Sequence, residues 1–178
     1  MRITGGRYVR RTVECPPGEI RPAMDRMRES LFAILGDLTG LSFLDLFSGS
    51  GVIGIEAASR GADPVVLVEQ DSHKRHVILR NIQMVETTIR AVTMSAERFI
   101  AASRSSFDLI FLDPPFRYEH KEHLLERVAA GKLLAPGGRV LIHYPREDAL
   151  PETIGRLVRR DERSYGRSTV SFYVRSGG

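Results

Sequence analysis

The sequence predicts an α/β fold. A mostly parallel sheet carries helices on both faces, with an antiparallel C-terminal hairpin and a short N-terminal β-hairpin extension. Three observations predict it. Between Leu41 and Tyr144, short apolar runs alternate with helical patterns. Those runs have no polar face, as expected of parallel strands buried on both sides. After Tyr144 the alternation stops, and GRLVRRDERSYG and STVSFYV flank a turn at Gly166 with no helix between them.

Taken in order, RITGGRYVRRTVEC reads as two short strands about Gly5-Gly6, broken by Pro16-Pro17-Gly18. Pro22 precedes a helical pattern with Met24, Met27, Leu31 and Leu35 on one face. LSFLDLF is a strand, and VIGIEAASR a short helix stopped by Gly61. PVVLVEQ and SHKRHVILRNIQMV form the next strand and helix, followed by IRAVTM, ERFIAAS and FDLIFL. HKEHLLERVAAG turns Leu124, Leu125 and Val128 inward and closes at Gly131. Pro136-Gly137-Gly138 then turns into the strand RVLIHY.

A chain of 178 residues fits one domain, 1–178, with residues 1–20 as the hairpin extension. One cysteine, Cys15, excludes an internal disulfide and a cysteine-rich metal site. His120 and His123 are helically spaced, but lie among Glu119, Lys121 and Glu122 on a polar helix start, so no metal is expected. No run is long and apolar enough for a membrane span, and MRITGGRYVRR lacks a signal-peptide core, so a cytoplasmic protein is expected. The formal charge is +4, nearly all of its basic residues are arginine, and they cluster at both ends. Arg2, Arg7, Arg10 and Arg11 precede the first acid, Glu14. Arginine forks suit phosphate oxygens, which points to a polyanionic partner.

The first long strand runs into Asp45-Leu46-Phe47-Ser48-Gly49-Ser50-Gly51-Val52-Ile53-Gly54, a G-x-G-x-x-G loop opening a helix. Glu69 stands at the end of the next strand, eighteen residues past Gly51. This spacing is also that of a dinucleotide fingerprint. Charge decides between ligands. Asp45, four residues before Gly49, would repel a pyrophosphate. S-adenosylmethionine (AdoMet) has no phosphate, and its ammonium would pair with an acid there while Glu69 held the ribose hydroxyls. A tight turn with a helix-packing glycine explains Gly49 and Gly54, but not two acids at consecutive strand ends.

The fourth strand, FDLIFL, ends in Asp113-Pro114-Pro115-Phe116 on the same rim of the sheet. Two prolines remove two backbone donors and fix the chain direction. What remains is a rigid corner presenting the Asp113 carboxylate, the Pro114 carbonyl and a flat ring. An exocyclic amine on a nucleobase is flat, its lone pair delocalised into the ring. Two acceptors taking one N–H each would localise that lone pair, and Phe116 would stack on the base.

D-P-P-F resembles the [ND]-P-P-[YFW] motif of amino-group methyltransferases, and DLFSGSG their cofactor loop. RITGG, RPAMDRMRESLFAIL and YGRSTVSFY resemble the bacterial 16S rRNA guanine-N2 methyltransferases (RsmD-like) over nearly the whole chain. The resemblance implies a Rossmann-like class I methyltransferase fold, AdoMet as cofactor, and methylation of one guanine N2 in 16S rRNA, in an assembling small subunit. It carries over Asp113, Pro114 and Phe116 as the catalytic corner. Asp45, Ser48, Gly49, Ser50, Gly51, Glu69 and Gln70 carry over as cofactor contacts. Ser95 and Ala96 stand where many relatives place an Asp or Asn against the adenine amine, with Glu97 one step late. Arg2, Arg7, Arg10, Arg11, Arg21 and Arg26 are expected to meet RNA, and the protein to act as a monomer. Ala23 replaces the usual Thr after R-P, removing a hydroxyl.

Other readings account for less. A DNA adenine methyltransferase shares D-P-P-[YF] but normally adds a target-recognition segment. A protein glutamine methyltransferase uses the same corner, typically with Asn first, and has no obvious need for arginines at both ends. An NAD-dependent oxidoreductase leaves DPPF unexplained, and a non-catalytic RNA-binding module leaves the crevice unexplained.

Overall fold

The computed structural model describes residues 1–17 and 22–177. The elements run α1 (Pro22–Leu35), β1 (Phe43–Leu46), α2 (Val52–Ser59), β2 (Val65–Glu69), a 3₁₀ turn (Ser72–Lys74), α3 (Arg75–Ile82), β3 (Ile89–Thr93), α4 (Ala96–Ala102), β4 (Phe107–Leu112), α5 (Lys121–Ala130), β5 (Leu134–Pro145), β6 (Thr153–Ile154), β7 (Leu157–Tyr165) and β8 (Ser168–Arg175). All eight strands form one sheet in the order β3-β2-β1-β4-β5-β8-β7-β6. The first five are parallel, and β8, β7 and β6 continue antiparallel. The order reverses between β1 and β4, so the carboxyl ends of β1, β2 and β4 open on one crevice, where open α/β sheets bind ligands.

Side chains alternate across this sheet, and each face builds its own core. Phe43, Val65, Leu67, Leu109, Phe111 and Leu141 face a cluster with Met27, Leu31, Phe32, Ile55 and Ile78 from α1, α2 and α3. Leu44, Leu46, Val66, Val68, Ile110 and Leu112 face the other, with Phe99 of α4 and Leu124, Leu125 and Val128 of α5. By the same alternation Asp45, Glu69 and Asp113 stand on the α1–α2 face, Asp45 level with Leu67 and Phe111, and Glu69 and Asp113 two residues further toward the crevice.

Two parts differ from the sequence expectation in detail. Pro136-Gly137-Gly138 does not end a turn before β5 but lies within it. The pairing with β4 jumps from Phe107↔Leu134 to Leu109↔Arg139, so the three residues bulge out of register, with Gly137 at φ +71°. The N-terminal segment doubles back antiparallel, but its pairing is a single bridge, Arg2↔Thr12, around curled turns.

That segment shares the main core. Ile3, Tyr8 and Val13 are fully buried within the α1–α2 cluster. Burying a side chain such as Ile3 or Val13 contributes roughly 1.5–3 kcal/mol. Gly6 has φ +78°, and a Cβ there would lie 2.0 Å from the Ser59 carbonyl oxygen, so only glycine lets the chain cross the end of α2. Beneath it, Glu56 is wholly buried and accepts from the Thr4 backbone N–H and hydroxyl. Arg28, also buried, approaches Glu56 with Nε at 3.3 Å and donates to the Arg2 carbonyl at 2.7 Å. Arg60 completes the pairing at 3.6 Å. Arg28, half-way along α1, thus clasps the N-terminal segment to α2 through buried, hydrogen-bonded charge.

Candidate active site

A cavity of about 440 Å³ opens at the carboxyl ends of β1, β2 and β4. Its walls include Asp45, Phe47, Ser48, Gly49 and Ser50 after β1, Glu69, Gln70, Asp71 and Lys74 after β2, and Asp113, Pro114, Pro115 and Phe116 after β4. His143 from β5, and Met1 and Met24 from the N-terminal side, complete it.

The loop after β1 is held by backbone contacts. The Ser48 N–H donates to the Val68 carbonyl at 2.9 Å and its hydroxyl to the Asp45 carbonyl at 2.8 Å. The Gly51 N–H donates to the Ser48 carbonyl at 2.8 Å. A Cβ on Gly54 would lie 2.1 Å from Leu67 Cδ2, so that glycine lets α2 press on β2. Phe47 has φ +65°, a left-handed conformation that a bulky residue adopts only under constraint. Its ring meets the edge of the Tyr118 ring, centroids 5.7 Å apart. Asn81, buried on α3, donates to the Ser50 carbonyl at 2.8 Å and to the Glu14 carbonyl at 2.9 Å. It ties the loop to the N-terminal segment.

Three carboxylates share the cavity. Glu69 Oε2 accepts from the Gly49 N–H and Oε1 from the Asp71 N–H, both at 2.9 Å. Asp45 is 1% exposed, and its Oδ2 has no hydrogen-bond partner among the described residues. Burial, then the neighbouring charge of Asp113, pushes the Asp45 carboxyl well above the ordinary carboxylate range; the Gly54 backbone N–H opposes this. Asp113 follows Leu112, its N–H within 3.4 Å of the Leu46 carbonyl, and its side chain is 21% exposed. Phe116 is 38% exposed at the mouth.

Ser95 and Ala96 do not line this cavity. Ser95 caps α4, its hydroxyl accepting from the Arg98 N–H at 3.3 Å, and Ala96 is buried in the opposite core. Two steps past Ser95, Glu97 accepts a hydrogen bond from the Tyr118 hydroxyl. The Glu97–Tyr118–Phe47 chain thereby links the α4 start to the cavity wall. Sequence reasoning missed it because its members lie on one helix and two separate loops far apart along the chain. It also missed His143, whose Nδ1 lies 2.9 Å from Asp113 Oδ1.

Of the expected RNA contacts, Arg21 lies outside the described residues. Arg2, Arg7, Arg10, Arg11 and Arg26 are exposed. Arg7 pairs with Glu86, and Arg11 donates to the Met84 carbonyl and lies over the Tyr8 ring. The side chains of Arg2, Arg10 and Arg26 make no ion pair among the described residues. No cluster of His, Cys, Asp and Glu suited to a metal ion occurs among the described residues.

A family model described as conserved hypothetical protein 95 matches residues 1–174. The chain belongs to that family. Similar to it is ribosomal RNA small subunit methyltransferase D of Escherichia coli (strain K12), 30% identical over 179 residues, 98% of this chain and 90% of that protein. The Bacillus subtilis (strain 168) protein YlbH, named as a candidate rRNA methyltransferase, is 34% identical over 184 residues, 99% of this chain and all of that one. The solved structure of yhhF from Escherichia coli, a candidate methyltransferase, superposes with a TM-score of 0.90 at 29% identity, covering 100% of this chain and 99% of that one. The fold of this family member is the Rossmann-like class I methyltransferase fold.

AdoMet is the cofactor of methyltransferases with this fold, and the cavity suits it. The Asp45 Oδ2 is a buried acceptor lacking a donor among the described residues, which an ammonium would supply. The carboxylates of Asp45, Glu69 and Asp113 together suit a ligand carrying an ammonium and a sulfonium and oppose a pyrophosphate. Pockets for ligands of this size commonly span roughly 300–1,000 Å³, which brackets this one.

Proposed function

We propose that this chain transfers a methyl group from AdoMet to the exocyclic N2 amine of a guanine in 16S rRNA, acting as a cytoplasmic monomer on an assembling small subunit. One observation carries the reading: Asp113 and the loop residues Ser48, Gly49 and Ser50 line the same cavity, with the exposed ring of Phe116 at its mouth. The small-subunit rRNA methyltransferase name of its relative supports rRNA as the substrate class.

When bound, AdoMet supplies a sulfonium methyl, which leaves its sulfur with the bonding electron pair remaining behind. Asp45 holds the ammonium, and Glu69 takes the ribose hydroxyls on the lone pairs that its backbone contacts leave open. Ser48, Gly49, Ser50 and Gln70 shape the floor against the methionine part, and Gly51, at φ +83°, turns the loop into α2 behind them. Asp113 and the Pro114 carbonyl each accept one N–H of the target amine, so its lone pair points at the cavity rather than into the base ring. Phe116 stacks on the base and excludes water. Asp113 receives the proton that the amine releases once methylated. Prolines at 114 and 115 keep both acceptors fixed, so the rate gain comes from positioning and preorganised dipoles. Arg2, Arg10 and Arg26 meet RNA phosphates, which orient the substrate without reading it.

Incubating the protein with methyl-labelled AdoMet and separate pools of small-subunit particles, naked rRNA, DNA and protein tests this. Label should enter the rRNA, with the assembling particle as the preferred form. Label in DNA or protein alone would refute it.

A further inference from the structure

We propose that His143 is a positioning residue for methyl transfer, holding Asp113 through an Nδ1–H donor and bracing Phe116; this rests on the reading of Asp113 as the amine acceptor. The last register pair of β4 and β5 is Leu112↔Ile142, so Asp113 and His143 are the next step of the same parallel ladder. Phe111 and Leu141, two residues earlier, share the α1–α2 core, so Asp113 and His143 emerge on that face, side by side at the crevice.

The imidazole is nearly inaccessible, 3% exposed against 21% for Asp113. Its Nδ1 is 2.9 Å from Asp113 Oδ1, while its Nε2 is buried with no partner among the described residues. A carboxylate oxygen against a bare Nδ1 lone pair would set two acceptors face to face, so the proton sits on Nδ1. A second proton on Nε2 would have no acceptor, and an unpaired buried N–H is costly. The neutral Nδ1–H tautomer satisfies both ends best. It engages Oδ1 and leaves Oδ2 for the substrate amine. The same ring lies against Phe116, centroids 5.6 Å apart and planes at 62°. One buried imidazole therefore sets the direction of both the acceptor and the stacking ring. A neutral donor does so without drawing off the negative charge that the amine needs.

The test has two parts. Nitrogen NMR of the ligand-free protein, labelled at histidine, should show His143 protonated at Nδ1, with its signals moving in Asp113→Ala. An Nε2–H tautomer would overturn the proposal. His143→Ala should lower kcat at least tenfold while AdoMet affinity by calorimetry stays within about twofold. His143→Asn, whose amide N–H can stand near the Nδ1 position, should recover most of kcat; His143→Gln, whose amide reaches the Nε2 position, should not. His143→Ala added to Asp113→Ala should cost clearly less than it does alone, since the Asp113 contact is already gone and only the bracing of Phe116 is left to lose. Equal losses in the Asn and Ala variants, a parallel fall in AdoMet affinity, or an additive double variant would each overturn it. Failure of wild-type protein to label rRNA would instead overturn the proposed function, and the NMR result still decides the tautomer.

Discussion

Glu69 and Gly49 are joined across the mouth of the sheet, the Gly49 N–H donating to Glu69 Oε2 at 2.9 Å. The acid that ends β2 therefore holds the loop after β1 as well as facing the cavity, and its other oxygen takes the Asp71 N–H. Both oxygens serve as acceptors. Glu69→Gln places an NH₂ against one of two backbone donors, and leaving such a donor unmet costs about 1–3 kcal/mol. AdoMet affinity measured by calorimetry should fall by roughly tenfold or more on that account, and an unchanged affinity would show that the loop does not depend on Glu69.

Asp45 gives a pH signature with a definite sign. Its carboxyl is pushed well above the ordinary range by burial and by Asp113, so the folded state holds its proton more tightly than the unfolded chain does. Stability is therefore fully present below the unfolded pKa and declines as pH rises through the raised folded value. Asp45→Asn should remove this decline and be more stable than the parent protein, without ligand, at neutral pH. It should also lose AdoMet binding, because the amide offers no charge to the ammonium. In the parent protein, AdoMet binding below the raised pKa should release a proton, seen as a buffer-dependent binding enthalpy.

Asp113→Ala should leave AdoMet affinity largely intact and lower turnover by at least ~100-fold, the scale of one preorganised polar contact to a transition state. Phe116→Tyr should be tolerated because it keeps the stacking face. Phe116→Ala should raise KM for RNA and lower kcat, and steady-state kinetics on all three variants checks the pattern.

The N-terminal arginines should divide by their partners. Arg2 and Arg10 have exposed side chains with no ion pair among the described residues, whereas Arg7 and Arg11 bind Glu86 and the Met84 carbonyl. Replacing Arg2 and Arg10 with alanine should flatten the slope of log RNA affinity against log salt by ~0.7 per lost phosphate contact, about 1.4 in total. Replacing Arg7 and Arg11 should move the slope less and lower the melting temperature, since they fasten the segment to residues 84–86.

The sheet and the position of Asp113-Pro114-Pro115-Phe116 on its rim were legible because apolar runs of strand length read directly as doubly covered strands, and their terminal acids fall on one rim. The Pro136-Gly137-Gly138 bulge was not, since those residues are the same ones that would make a turn. Nor was the burial of Ile3, Tyr8 and Val13, because a short segment joins a core only through partners far along the chain. His143 sits in RVLIHY, where a lone histidine in an apolar strand reads as packing; only the register with β4 brings it to Asp113. Ser95 and Ala96 stand where relatives carry Asp or Asn without matching either, and in the structure the Ser95 hydroxyl caps α4 while Glu97 turns to Tyr118.

The central claim is that the Asp113 corner aims a guanine N2 amine into the AdoMet cavity. The most direct measurement is a nucleoside digest of 16S rRNA, from particles treated with methyl-labelled AdoMet and either the parent protein or Asp113→Ala. The account predicts a single labelled nucleoside, N2-methylguanosine, present with the parent protein and reduced at least ~100-fold in rate of formation with the variant. Label in N6-methyladenosine or in a ring-nitrogen methylguanosine, or undiminished N2-methylguanosine with the variant, would contradict it.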